Sequence, residues 1–145
     1  MSAGRICSRV VVTASPNESI RVAAQHMAEK DVGTSVVVDP SRVPEAVGII
    51  TDRDLAMRCI AGRLDPDQTQ ISKVMTAPVQ SVDEETPIEE ALSRMAGAAT
   101  RRLVVTGKGR SLIGILSLDD VLELLVEEAA SIGRLLEKQR PNIRA

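Results

Sequence analysis

Gly48-Ile49-Ile50-Thr51-Asp52-Arg53-Asp54 and Gly114-Ile115-Leu116-Ser117-Leu118-Asp119-Asp120 are two versions of one heptapeptide. Each passes from a glycine through two apolar residues to Thr or Ser, with Asp three residues further on. The apolar run reads as the end of a buried strand, and the hydroxyl as the cap of a helix that follows it. A shift of 68 positions lays Val11 on Val79, Ile20 on Ile88, Ala23 on Ala91, Met27 on Met95 and Val36-Val37 on Val104-Val105. After a two-residue difference in one loop, Val47 to Thr51 falls on Ile113 to Ser117 and Asp54 falls on Asp120. Two copies of one unit of about sixty residues account for nearly the whole chain, the signature of a repeated supersecondary structure.

Each copy reads as β-α-β-β-α. A β-branched run (Val10 to Thr13; Val79 to Val82) leads through a capping segment into an amphipathic helix. Ile20, Ala23, Ala24 and Met27, echoed by Ile88, Ala91, Leu92 and Met95, repeat at the i, i+3, i+4, i+7 spacing of a stripe facing a core. Two strands follow, Ser35 to Asp39 and Ala46 to Ile50, then Leu103 to Thr106 and Leu112 to Leu116. Their continuous apolar runs suit strands covered on both faces. A second helix opens at Thr51 or Asp52, and its counterpart at Ser117 or Asp119. The last helix continues well past the repeat on a stripe of Leu118, Val121, Leu122, Leu125, Ala129, Ile132 and Leu136. That is wider than one small unit buries, so part of it is expected to meet another chain.

Composition removes several functional classes. The 145 residues carry 18 Lys plus Arg against 20 Asp plus Glu, without the concentrated basic surface that a nucleic-acid binder needs. No Phe, Tyr or Trp is present, so base-stacking platforms and aromatic cation cages are excluded. Two cysteines, Cys7 and Cys59, are too few for a disulfide framework and are expected as reduced thiols in a cytoplasmic protein. His26 is the single histidine, and it falls off the helix stripe. No nucleophile–base pair, metal-ligand cluster or glycine-rich phosphate loop is legible, so neither catalytic nor metal residues are assigned. The start of the chain lacks a signal peptide pattern, and no apolar run reaches membrane-spanning length.

The two heptapeptides can do chemistry. A carboxylate in the first turn of a helix offers two acceptor oxygens to the two hydroxyls of a ribose diol. A Thr or Ser hydroxyl three residues earlier lies beside the free N–H groups that favour phosphate at a helix N-terminus. Apolar edges such as Ile49 and Ile115 give a slot for a purine without any aromatic ring. The same residues also suit simple capping, with Asp54 and Asp120 complementing the helix dipole. Arg101 and Arg102 suit phosphate contact, or a surface ion pair with Asp119.

Tandem β-α-β-β-α copies carrying Gly-h-h-Thr/Ser-x-x-Asp in register resemble a pair of cystathionine-β-synthase (CBS) domains. Val74-Met75-Thr76 and Arg101-Arg102-Leu103-Val104-Val105 extend the likeness, which spans about residues 6 to 130, and the architecture resembles a stand-alone tandem CBS protein of the kind bacteria carry. It implies an α+β fold of two units related by pseudo-two-fold symmetry. CBS domain 1 is placed at 6–62, a linker at 63–73, CBS domain 2 at 74–130, and a helical extension and tail at 131–145. It further implies clefts shared between the copies. One would join Ser117, Asp120, Ile115 and Arg102 with Val10 and Val12; the other Thr51, Asp54 and Ile49 with Pro78, Gln80 and Arg101. Asp54 and Asp120 would hold ribose, Thr51, Ser117, Arg101 and Arg102 phosphate, and the apolar positions with Gln80 adenine. Gly33-Thr34 stands in the first copy where Arg101-Arg102 stands in the second, so unequal sites are expected. The implied role is a regulatory sensor of AMP, ADP or ATP, or of an adenosyl ligand such as S-adenosylmethionine, with no cofactor required. The alternative is a protein-interaction and dimerisation module with vestigial sites. Expected partners are a second copy, in a flat two-fold arrangement, and a protein target of unknown identity, with neither nucleic acid nor membrane.

Overall fold

The computed structural model describes residues 1–42 and 45–140, so Val43-Pro44 in the first copy's loop and the tail beyond Arg140 lie outside the described residues. The elements run α1 (Ala3–Ile6), β1 (Thr13–Ala14), α2 (Ile20–Lys30), β2 (Thr34–Val38), β3 (Ala46–Thr51), α3 (Asp52–Asp54, continuing as a π-helical turn Leu55–Ile60), β4 (Ser81–Asp83), α4 (Ile88–Ala98), β5 (Arg102–Thr106), β6 (Leu112–Ser117) and α5 (Leu118–Gln139). They form two three-stranded sheets, ordered β1-β2-β3 and β4-β5-β6. In each, the first pair is parallel and the second antiparallel. The chain is an α+β protein of two like units with a long C-terminal helix.

The periodicities explain the layers. Ile20, Ala23 and Met27 of α2, and Ile88, Ala91 and Met95 of α4, are buried against their sheets. Ala24 is exposed, at the mouth of an apolar groove between α2 and the π-helical turn. Val36-Val37 and Val104-Val105 lie at the centres of their sheets with no accessible surface, and each such side chain gains about 1.5–3 kcal/mol on burial. Both first helices end on a residue in left-handed conformation, Asp31 (φ 52°) and Ala99 (φ 50°), which turns the chain sharply into the central strand. The π-helical turn, closed by Ala61 N–H to the Ala56 carbonyl, aims Cys59 into the core. Its counterpart in α5 is regular α-helix.

The first strands are shorter and later than the sequence predicts. The expected Val10 to Thr13 strand is Thr13–Ala14, and Val10 is 81% exposed. The expected Val79 to Val82 strand is Ser81–Asp83. Val10 to Val12 and Val79-Gln80 are extended segments leading into the strands, and only Val12 and Gln80 accept a bond from the central strand (Val36 N–H, 2.9 Å; Val104 N–H, 2.9 Å).

Units in space do not follow units in sequence. Ala3, on α1, is buried with Val82, Ile88, Leu103 and Leu116 of the second unit. Ile71 and Val74, at the end of the segment 63–73 and just past it, are buried with Ile20, Val37 and Ile50 of the first. Ser8 pairs with Ile115 through two backbone bonds (2.9 and 3.0 Å), and Thr76 pairs with Ile49 through another two (2.8 and 3.0 Å). Each copy's leading segment thus crosses to the other copy's last strand. The crossing explains the glycine of each heptapeptide. A Cβ on Gly114 would lie 2.3 Å from the Ser8 carbonyl oxygen, and one on Gly48 would lie 2.6 Å from the Met75 sulfur.

Candidate functional site

The crossings open two clefts with equivalent walls. The first is lined by Ile49, Thr51, Arg53 and Asp54 of one unit, and by Thr76, Pro78, Gln80 and Thr100-Arg101-Arg102 from the other copy. The second is lined by Ile115, Ser117 and Asp120, with Ser8, Val10, Val12 and Val32-Gly33-Thr34. Their volumes are about 580 and 240 Å³. The first falls within the range of sites that enclose a drug-sized ligand.

Both Thr/Ser-x-x-Asp motifs are reciprocal capping boxes. The Thr51 hydroxyl accepts from the Asp54 N–H at 3.1 Å, and the Thr51 N–H donates to the Asp54 carboxylate at 3.0 Å. Ser117 and Asp120 repeat this at 3.1 and 2.8 Å. Two helix-end donors are satisfied in each case, and one carboxylate oxygen is committed to the backbone. The other oxygen of Asp54 lies 3.7 Å from Arg58 Nε, and Arg58 is held by the Val74 carbonyl at 2.9 Å. Among the described residues Asp120 forms no ion pair. Capping and ligand contact, which the sequence left as alternatives, are therefore compatible: one oxygen caps while the second stands at a cleft wall.

The charges are unequal. Arg53, Arg101 and Arg102 all line the first cleft, while the second has Asp120 as the charged residue among its lining. This corrects the expected placement of Arg102 beside Ser117 and Asp120. Arg102 is in register with Ser117 along the β5–β6 ladder, yet it lines the cleft of Asp54. Each cleft joins one copy's heptapeptide to the segment before the other copy's central strand, so Gly33-Thr34, not Arg101-Arg102, faces Asp120. Arg101 approaches Asp119 at 3.6 Å with both side chains more than 70% exposed. An exposed pair like this is weak and leaves the guanidinium available.

Sequence reasoning missed Arg53, which occupies a variable position of its motif, and Thr76 and Ser8. A signal for the latter pair existed: both sit at equivalent positions 68 apart. Cys7 packs near Gly114, and burial pushes its thiol above the ordinary value, with Asp120 adding to the rise and Arg9 opposing it. Cys59 is raised chiefly by burial, with Asp54 adding. Both thiols are free, in separate units. No described helix is long and apolar enough to cross a membrane.

Known proteins share this arrangement. The family model for the CBS domain matches residues 3–60 and 71–127. The CBS domain-containing protein YhcV of Bacillus subtilis is 36% identical over 77% of this chain and 76% of its own length. The solved CBS domain protein PAE2072 from Pyrobaculum aerophilum, complexed with AMP, superimposes with a TM-score of 0.77 at 26% identity, over 90% of this chain and 99% of that one. The CBS domain pair of protein MJ0100, in complex with 5′-methylthioadenosine and S-adenosyl-L-methionine, gives 0.77 at 25% identity over 88% and 98%. With two matched repeats, crossed leading segments and a cleft against each capping box, this chain belongs to the CBS domain family as a tandem pair.

Proposed function

We propose that the protein is a regulatory sensor whose first cleft binds an adenosine nucleotide. The observation that carries this reading is the collection of three arginines, Arg53, Arg101 and Arg102, with the Asp54 carboxylate in the lining of the larger of the two clefts. The Asp54 oxygen that is not used in capping, beside Arg58, accepts the ribose diol, the purine lies along Ile49 with Pro78 and Gln80, and Arg101 and Arg102 neutralise phosphate near Thr51. The second cleft, with Asp120, Ser117, Ile115, Val10 and Val12 and no arginine in its lining, suits an adenosyl ligand of neutral or positive charge, such as 5′-methylthioadenosine or S-adenosylmethionine. Because both walls of a cleft come from different units, a ligand stabilises one relative placement of the units. The output is then limited by its differential affinity for the two placements.

The purified protein supplies its own test. Without Trp or Tyr it is nearly dark at 280 nm, so a retained purine dominates the ultraviolet spectrum and can be identified by mass spectrometry after denaturation. Titration calorimetry with AMP, ADP and ATP then measures the first cleft. Removing one charge-assisted contact by Arg102→Ala is expected to weaken nucleotide binding by about ten- to a hundred-fold, with no change in binding of 5′-methylthioadenosine. A dark spectrum together with no heat from any of these ligands would replace the sensor with an interaction module.

A further inference from the structure

The two capping boxes are alike, but what stands behind them is not. In the first unit Arg58 follows Asp54 by one turn, with its Nε 3.7 Å from the carboxylate oxygen that takes no part in the cap. The same guanidinium donates to the Val74 carbonyl at 2.9 Å. Aligning the two aspartates sets Leu124 at this position in the second unit. Among the described residues Asp120 has no ion pair.

The backbone explains how Arg58 reaches both partners. Leu55–Ile60 is a π-helical turn, in which the inward direction falls to Cys59. Cys59 is buried, and Arg58 stays half exposed beside the carboxylate. In α5, which is regular α-helix, Leu124 is half-buried at the position of Arg58, and Leu125 is exposed at that of Cys59. The wider turn thus exchanges a core-facing position for one that serves Asp54. Single π-helical turns within α-helices are frequent at functional sites.

The two contacts of Arg58 reach both walls of the first cleft. Asp54 stands in one wall. Val74 leads into Met75-Thr76, and Thr76 begins the opposite wall that Pro78 and Gln80 continue. The Asp54 side chain is only 15% exposed, so its charge is costly to leave without a counter-charge. At 3.7 Å Arg58 is too distant to use up an acceptor lone pair. It therefore steadies the charge and the rotamer while leaving the oxygen open to a ligand hydroxyl. Arg58 is absent from the cleft lining, so it acts through Asp54 and not on the ligand.

We propose that Arg58 is a positioning residue that gives the first cleft a preference for ribonucleotides, by holding the second oxygen of Asp54 towards the diol. The second cleft, with Leu124 in this place, lacks that support. The assignment rests on the nucleotide reading of the first cleft.

Titration calorimetry with AMP and with 2′,3′-dideoxy-AMP, which lacks both hydroxyls, tests it. The parent should prefer AMP, and Arg58→Leu should narrow that preference by about ten-fold, the worth of one hydrogen bond to a charged group. The loss should fall on AMP alone, with 2′,3′-dideoxy-AMP bound as before. In an Asp54→Asn background the same change should leave the ratio unaltered, as a double-mutant cycle requires of coupled residues. Arg58→Gln keeps an amide donor for the Val74 carbonyl and should narrow the preference likewise, which guards against a turn that unfolds in Arg58→Leu. An unchanged or widened preference, an equal loss for both ligands, or the same narrowing without Asp54 would each overturn the role of Arg58 while leaving the nucleotide reading intact. A parent that binds neither compound would remove both.

Discussion

Asp54 and Asp120 each commit one carboxylate oxygen to a capping box and, in the function proposed above, offer the other to a ligand, which limits what mutation of them can show. Asp120→Ala removes both the cleft acceptor and the acceptor for the Ser117 N–H at 2.8 Å. A loss of about 1 kcal/mol in unfolding free energy is expected from the cap alone. Asp120→Asn keeps an amide oxygen able to accept that N–H and should recover most of the stability in urea denaturation, while still losing affinity for a ligand diol. The residue types were legible in the sequence because a strand-to-helix junction with Thr or Ser and Asp has a fixed local geometry. Whether the carboxylate caps or binds was not legible, since a capping rotamer uses one oxygen and leaves the second out of the cap.

At the scale of elements, patterns that depend on neighbours along the chain were read correctly except at Ala24 and the first strands. The meeting of Val10 and Val12 with Asp120, and of Pro78 and Gln80 with Asp54, came from the family resemblance and not from local pattern. The buried stripes of α2 and α4 and the apolar central strands follow from local periodicity. Val10 to Val12 look like a strand by composition, but Val10 and Val12 line the second cleft beside Ile115, and β-branched side chains at a cleft wall carry the same signature as a paired strand. Arg102 was assigned to the wrong cleft for a related reason: ladder register says which residues are adjacent, not which wall their side chains serve. The crossing itself can be tested at Gly114. Gly114→Ala drives a methyl group into the fixed carbonyl of Ser8 rather than into a movable side chain. A destabilisation of about 1–3 kcal/mol is expected, read as a lower denaturation midpoint, with increased exchange of the Ser8 and Ile115 amides.

For the whole molecule, the second unit depends on the beginning of the chain. Ala3 lies in its core, the Ala3 and Gly4 N–H groups donate to the Thr86 and Glu84 carbonyls at 2.8 Å, and Ser8 closes against Ile115. Deleting residues 2–8 should therefore loosen β4 to β6 selectively. Hydrogen exchange is expected to accelerate across Leu103 to Leu116 while Val36, Val37 and Ile50 remain protected; uniform loss of protection would show instead that the two cores melt as one.

A chain emerging from the ribosome meets this arrangement in a particular order. The elements of the first unit, through Thr76, are contiguous and can close as soon as that stretch is free, in keeping with domains folding as units during synthesis. Residues 1–8 leave before either sheet but find no surface to dock on until Ile115 has followed. A segment made before either sheet is thus among the last to be locked, and a nascent chain halted between the two events would hold one finished unit with residues 1–8 still undocked.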